Sequence, residues 1–298
     1  MTELLRLHEV AARDGLQNEK AVLSTARKLQ LLELLAASRP DSLEVTSFVR
    51  PDLVPQLADA AALCEALKNV PWRQGIPLVG LVLNQRGYDS FRISGLDSIT
   101  AVIGANEKFS VANSGMAIAK ATAVNRKLCE AAAQEGFPVR MYLSMAFGSP
   151  TDGDTDPQVV LDLVAAAAEM GVDRVVLSDT VGIGRADQVE TLVAGAQQYL
   201  PLEKIALHMH DTYGTALENC AVAMKMGVRM FDASAGGTGG CPFAPGAAGN
   251  LATGSLLAFA ASHGLAPDMN GVAIDAAASL LAEELGRPLA QGAARRPL

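Results

Sequence analysis

Residues 174–211, RVVLSDTVGIGRADQVETLVAGAQQYLPLEKIALHMHD, decide the fold. Arg174–Asp179 and Ile205–His210 are apolar strand-like runs that end in polar side chains, and a run of helical spacing separates them. Working outward, similar runs occur at Leu5–Val10, Leu43–Ser47, Pro77–Leu83, Ile99–Gly104, Val139–Met145 and Arg229–Ala233. Between them, Leu57, Ala60, Cys64 and Leu67 line one helix face, and Leu217, Cys220, Ala221 and Met224 line another. Asp156-Pro157 reads as a helix start, with Gly136 and Gly171 as helix stops. Strands alternating with helices predict a parallel sheet, and eight such units fit a closed (β/α)8 barrel better than an open sheet. The eighth helix is expected at about 250–262 and a further one at about 272–285, packed across the barrel or on a partner. We expect one domain over 1–298, with the barrel at about 4–265, a C-terminal helical extension at about 266–290 and a disordered tail at 291–298. No Pro-, Gly- or Ser-rich linker divides it.

The 298 residues are 50% hydrophobic and only 4% aromatic, which suits a large aliphatic core. Single α/β barrels of about 250 residues are ordinary. The net charge of −8 argues against nucleic acid as a partner, which needs clustered Lys and Arg. It leaves room for an anionic substrate at a local basic spot. Neither a signal peptide nor an Arg- and Ser-rich leader is legible at the N-terminus, and no stretch of 18 apolar residues predicts a membrane span. Cys64, Cys129, Cys220 and Cys241 lack CxxC spacing and read as reduced thiols of a cytoplasmic protein.

Reactive side chains gather just past the strand ends, which share one face of a barrel. They are Arg13, Asp14 and Gln17 after strand 1, Glu44 and Ser47 on strand 2, Asp179 on strand 6, His208 and His210 on strand 7, and Cys241 and Asn250 after strand 8. A spacing of two puts His208 and His210 on one side of their strand. With carboxylate and amide oxygens they make a mixed N/O site for Mg²⁺, Mn²⁺, Co²⁺ or Zn²⁺. The plainer alternative is two satisfied buried histidines. However, these are two of only four in the chain, and they close an apolar strand. Arg13-Asp14 taken alone reads equally as a structural ion pair. Beside a metal, Asp14 can ligate and Arg13 can stabilise negative charge on a substrate oxygen. Gly236–Gly240 fits a closing loop, and Cys241 on it is either a proton donor or acceptor, or an inert loop thiol. His8 and His263 take the structural reading, as do Cys64, Cys129 and Cys220. Asp152–Asp156 fails as a calcium loop, because Pro157 and Leu163 replace the required glycine and final carboxylate. No nucleotide-binding glycine motif is present.

Glu9–Lys20, Glu44–Phe48, His208–Gly214, Gly239–Ala244 and Gly249–Thr253 resemble 3-hydroxy-3-methylglutaryl-CoA lyases, metal-dependent TIM-barrel lyases, and the likeness runs over nearly the whole chain. The Gly-Gly-Cys-Pro loop is its most specific part. The resemblance implies a divalent metal, Mg²⁺ or Mn²⁺, held by Asp14, His208, His210 and Asn250. It implies that Arg13 stabilises an enolate, Cys241 shuttles a proton, and Glu44 and Asp179 orient ligands and handle protons. Gln17 and Ser47 would lie near the acyl group. An acyl-CoA substrate, release of acetyl-CoA and acetoacetate, a homo-oligomer and a place in leucine breakdown follow from the same likeness. Retro-Claisen cleavage suits these residues: a base takes the tertiary hydroxyl proton, a cation steadies the enolate and an acid protonates its carbon. Departures occur at Leu83–Gly87, Met145–Pro150 and Val176–Asp179, where the acyl group would be read. They raise a related branched 3-hydroxyacyl-CoA as an alternative substrate. A forward Claisen synthase and a non-catalytic acyl-CoA- or metal-binding barrel are further alternatives.

Overall fold

The computed structural model describes residues 4–239 and 249–290. Its strands are β1 (Arg6–Glu9), β2 (Ser42–Ser47), β3 (Leu78–Leu81), β4 (Ser98–Gly104), β5 (Val139–Ser144), β6 (Arg174–Asp179), β7 (Ile205–Met209) and β8 (Met230–Ala233). They follow one another in order around a closed, all-parallel barrel, and β8 pairs with β1 through Arg6↔Met230 to Glu9↔Ala233. The expected (β/α)8 barrel is therefore the observed fold. The helices are α1 (Asp14–Gln17), α2 (Thr25–Ala37), α3 (Ala60–Leu67), α4 (Gln85–Arg92), α5 (Glu107–Ser114), α6 (Ile118–Glu135), α7 (Pro157–Glu169), α8 (Ala186–Ala196), α9 (Ala216–Lys225), α10 (Thr253–Ser262) and α11 (Gly271–Leu285).

Alternation along the strands separates two cores. Leu7, Leu43, Val45, Ile99, Ala101, Ile103, Met141, Leu143, Val175, Leu177, Ile205, Leu207 and Phe231 pack under the helices in one continuous cluster. The intervening residues Tyr142, Val176, Ala206 and Met230, with Val102 against them, form a separate small cluster. Side chains on a strand point alternately to its two faces, so this second set fills the barrel lumen. His8, Glu44, Thr100, Arg140, His208 and Asp232 share its parity and are buried as well. A lumen carrying so many polar groups is costly unless they pair.

Local chemistry explains most element ends. Asp156 Oδ1 accepts from Gln158 N–H at 2.9 Å, with Pro157 at the first helical position of α7. Gly136 ends α6 at φ 78°, and Gly171 (φ 72°) follows α7 by one further residue. The acidic run divides its labour: Asp152 takes Lys108, and Asp154 takes Arg185 at 2.9 and 3.0 Å. β3 is shorter than its apolar run, although Val82 N–H still donates to Thr100 O of the neighbouring β4 at 2.8 Å.

α11 meets the barrel in this chain. It packs on α2 and on the turn at 235–237, burying Ala273, Ile274, Ala277, Ala278 and Leu281. Arg27 on α2 reaches Glu284 at 2.5 Å and Glu283 at 3.1 Å. Just beyond α11, Ala290 N–H donates to Gly236 O at 3.2 Å. Among the described residues no helix is long and apolar enough to cross a membrane. The tail expected at 291–298 lies outside the described residues.

Candidate active site

After β1 the chain turns sharply. Arg13 N–H and Gly15 N–H both donate to Val10 O at 3.1 Å, which starts α1 and leaves Arg13 and Asp14 at the C-terminal mouth. The Arg13 guanidinium is held from two sides. Its Nε donates to Glu44 Oε2 at 2.6 Å, and Nη2 lies 2.5 Å from the same oxygen. Its Nη1 donates to Asp14 Oδ1 at 2.6 Å and faces Gln17 Oε1 at 3.5 Å. The remaining oxygen of Asp14, Oδ2, lies 3.9 Å from Nε2 of His208 and 3.9 Å from Nε2 of His210. One ligand atom from each of these three residues lies within 4.8 Å of the others. A gap of 3.9 Å is too long for a hydrogen bond, and a closure of about 0.5–0.9 Å would bring these atoms to the separation of two ligands sharing an ion at about 2.1 Å each.

Asn250 joins them. Segment 249–252 is tied to the mouth by Asp211 N–H to Gly249 O (2.8 Å), Leu251 N–H to Met209 O (2.9 Å) and Ser234 N–H to Leu251 O (3.0 Å). This brings Asn250 Nδ2 to Asp14 Oδ2 at 2.8 Å and to Thr238 O at 2.9 Å. Arg13, Asp14, Gln17, Glu44, His208, His210 and Asn250 thus converge from four stretches of sequence.

The electrostatics suit a cation. Burial acts to raise the Asp14 carboxyl, but Arg13, the two histidines and the Asn250 amide hold it well below the usual carboxylate range. Burial, reinforced by His208 alongside, pushes His210 down to about 4, so its ring is neutral at ordinary pH. Burial lifts Glu44 above the ordinary value, although Arg13 and the Thr100 hydroxyl pull against it, and its Oε1 has no hydrogen bond of good geometry among the described residues. His208 is lifted: burial opposes this, but Asp232 and Asp14 outweigh it.

The other expected residues take different places. Asp179 Oδ1 accepts from Gly182 N–H (2.9 Å) and Ile183 N–H (3.1 Å), and Oδ2 accepts from Gly184 N–H (2.8 Å). Both Asp179 oxygens are engaged by the loop after β6, and burial lifts the carboxyl although these backbone bonds pull against it. Its backbone carbonyl does hold the site, accepting from His210 N–H at 3.0 Å. Ser47 ends β2 fully buried, its Oγ without a hydrogen-bond partner among the described residues, and lines a cavity of about 430 Å³ between α3, α4 and the loop at 48–51. Cys241 lies outside the described residues. Cys64, Cys129 and Cys220 are buried free thiols, as expected. His8 is buried with Nδ1 2.7 Å from Ser42 Oγ, and His263 stacks on Phe259, so neither joins the site.

The family model described as HMGL-like matches residues 5–281. The chain belongs to the HMGL-like family. It is 38% identical over 253 residues to the 3-hydroxy-3-isohexenylglutaryl-CoA/hydroxymethylglutaryl-CoA lyase of Pseudomonas aeruginosa, covering 85% of this chain and 83% of that one. It is 35% identical over 286 residues to the mitochondrial hydroxymethylglutaryl-CoA lyase of Arabidopsis thaliana. That match takes in 96% of this chain but only 60% of the longer plant protein. A solved HMG-CoA lyase of Acinetobacter baumannii, in complex with coenzyme A and 3-methylmalate, superposes with a TM-score of 0.91 at 29% identity. It covers 100% of this chain and 99% of that one.

Sequence reasoning missed one part of this HMGL-like site, which lies beneath the mouth. Asp232 on β8 is fully buried; Arg140 Nη2 donates to its Oδ1 at 2.6 Å and the Tyr142 hydroxyl donates to its Oδ2. That same Oδ2 lies 3.3 Å from Nδ1 of His208, off the line of a good hydrogen bond. Burial lifts the Tyr142 hydroxyl further above its ordinary value, with Asp232 adding to it, so it remains a proton donor. The available signal was parity: charged residues at lumen positions of apolar strands need a partner.

Proposed function

We propose that the protein cleaves 3-hydroxy-3-methylglutaryl-CoA to acetyl-CoA and acetoacetate with a divalent cation, Mg²⁺ or Mn²⁺. The observation that carries this reading is the convergence of Asp14, His208 and His210 beside an arginine anchored on Glu44, in a chain of the HMGL-like family. The relatives named as hydroxymethylglutaryl-CoA lyases support this substrate, one of them being named for 3-hydroxy-3-isohexenylglutaryl-CoA as well, and the coenzyme A in one relative's structure supports an acyl-CoA.

The donor set, one carboxylate and two imidazoles with an amide beside them, fits a divalent ion, and Asp14, His208, His210 and Asn250 would hold it. Such an ion supplies Lewis acidity at the substrate's tertiary hydroxyl oxygen. The remaining chemistry belongs to side chains of this chain. Glu44, with one oxygen unpartnered among the described residues and a carboxyl lifted by burial, is the base that takes the hydroxyl proton. The bond between the hydroxyl-bearing carbon and the carbon next to the thioester then breaks. Its electron pair passes to the thioester as an enolate, whose oxygen faces the fixed positive charge of Arg13. Cys241 returns a proton to the enolate carbon. Gln17 and Ser47 contact the acyl group, and Asp179 orients His210 through its carbonyl. We place the protein in the cytoplasm as a homo-oligomer.

The test is acetyl-CoA release from 3-hydroxy-3-methylglutaryl-CoA, with Mg²⁺ or Mn²⁺ and with chelator. Release that needs the metal supports the proposal. Absence of release from protein with bound metal refutes the substrate.

A further inference from the structure

We infer that Asp232, clamped by Arg140 and Tyr142, is a positioning residue for His208, fixing which ring nitrogen is bare and where it points. The inference rests on the metal-dependent reading above. It concerns the preparation of the ligand rather than the substrate.

An imidazole binds a cation through a nitrogen without a proton. Which nitrogen that is depends on what the other one faces. His208 turns Nε2 toward Asp14 Oδ2 and Nδ1 toward Asp232 Oδ2. The gap to Asp14 is 3.9 Å and that to Asp232 is 3.3 Å, so the nearer carboxylate acts on Nδ1. A proton on Nδ1 then leaves Nε2 bare on the side where His210 Nε2 also points.

Asp232 cannot swing away to another partner. Arg140 holds one oxygen, and the Tyr142 hydroxyl shares the other with His208. The Tyr142 ring also stands edge-on to the His208 ring, with centroids 5.6 Å apart and planes at 71°. The imidazole thus has a carboxylate facing its Nδ1 edge and a ring along its side. His210 differs: neither ring makes a hydrogen bond of good geometry through Nδ1, but only His208 has a carboxylate within 4.0 Å of that atom among the described residues.

Stability alone does not call for this arrangement. Arg140 and Asp232 are a buried ion pair beside Val176, Ala206 and Met230 in the lumen. Exchanging a buried pair for apolar side chains of similar volume is often neutral or stabilising, because both desolvation costs vanish. A pair that merely filled the barrel would therefore be replaceable without loss to the metal site, whereas a pair that aims His208 would not.

That contrast defines the experiment. Mn²⁺ binding to the full chain is measured by electron paramagnetic resonance, without substrate, for the parent, Asp232→Asn and the double variant Arg140→Met/Asp232→Leu, with thermal unfolding in parallel. Loss of a partner behind a metal-binding histidine typically weakens affinity about 10–100-fold. We expect that loss in both variants, with the double variant unfolding at or near the parent temperature. If the double variant folds and binds Mn²⁺ as tightly as the parent, the positioning role is overturned. Because the readout involves no thioester, a protein that binds Mn²⁺ but fails to cleave the proposed substrate refutes that reading without touching this one.

Discussion

Arg13→Met isolates the guanidinium that joins Glu44 to Asp14. The replacement keeps the length of the side chain and removes its charge. Glu44 is then fully buried with no cation against it, and Asp14 loses its 2.6 Å partner. Removing one member of a buried pair costs about 3–5 kcal/mol. Unfolding entropy is about 2.1 cal/mol/K per residue, so for 298 residues a loss of that size lowers Tm by about 5–8 °C. The loss depends on pH in a definite direction. Glu44 already sits above its ordinary value, and without Arg13 it rises further, so the folded variant binds a proton that the unfolded chain releases near pH 4.5. Its stability therefore falls as pH rises above that value, and the gap to the parent narrows toward pH 5. Scanning calorimetry at pH 5 and 8 on the parent, Arg13→Met, Glu44→Gln and the double variant gives the coupling directly. The double variant should lose less than the sum of the singles, yet cleave no faster than Arg13→Met, whose turnover should fall at least about 100-fold. Additive stability losses, or an Arg13→Met gap that does not change with pH, would refute the buried-pair account.

Glu9 offers a second pH test. Burial pushes it up to about 7, although Thr253, Ala235 and Ala11 donate to it. Its contribution is therefore full below about pH 4.5 and lost as pH rises through about 7. Glu9→Gln should flatten that slope in urea melts at pH 5, 6 and 8, and an unchanged slope would assign it to other groups. In Gly15→Ala the new methyl would meet Thr238 Oγ1 and, at 2.9 Å, Ser234 Oγ, splitting a hydroxyl pair only 2.6 Å apart. A stability loss of about 1–3 kcal/mol with reduced turnover is expected; parent-like turnover would mean the base of the glycine-rich segment need not be held there. Cys64 and Cys129, both pushed up to about 11 by burial, and Cys220, pushed higher, should react slowly with a thiol reagent until guanidinium unfolds the chain. Rapid labelling of all three in native protein would contradict their burial.

The strands were legible because β6 and β7 are buried on both faces and read as unbroken apolar runs. Arg13, Asp14, His208 and His210 were legible because polar residues at the ends of such runs have few other uses. The Asp232 network was not, because Arg140 and Asp232 lie 92 residues apart and only barrel closure brings them together. For Asp179 the sequence revealed a carboxylate at a strand end, but not that three backbone N–H groups would take up both its oxygens. The placement of α11 was equally open, since an apolar helix face does not specify which neighbour covers it.

The tie between Ala290 and Gly236 has a practical side for anyone handling the protein. Fusions built ahead of Leu4 hang from the far rim of the barrel, where Leu5 N–H meets Leu265 O, and leave the reactive end undisturbed. A purification handle or reporter joined close behind Ala290 would sit next to the backbone bond that holds the turn at 235–237. Leu5 and Ala290 are thus unequal as neighbours of an attachment point, and catalytic comparisons between differently tagged preparations would carry that asymmetry with them.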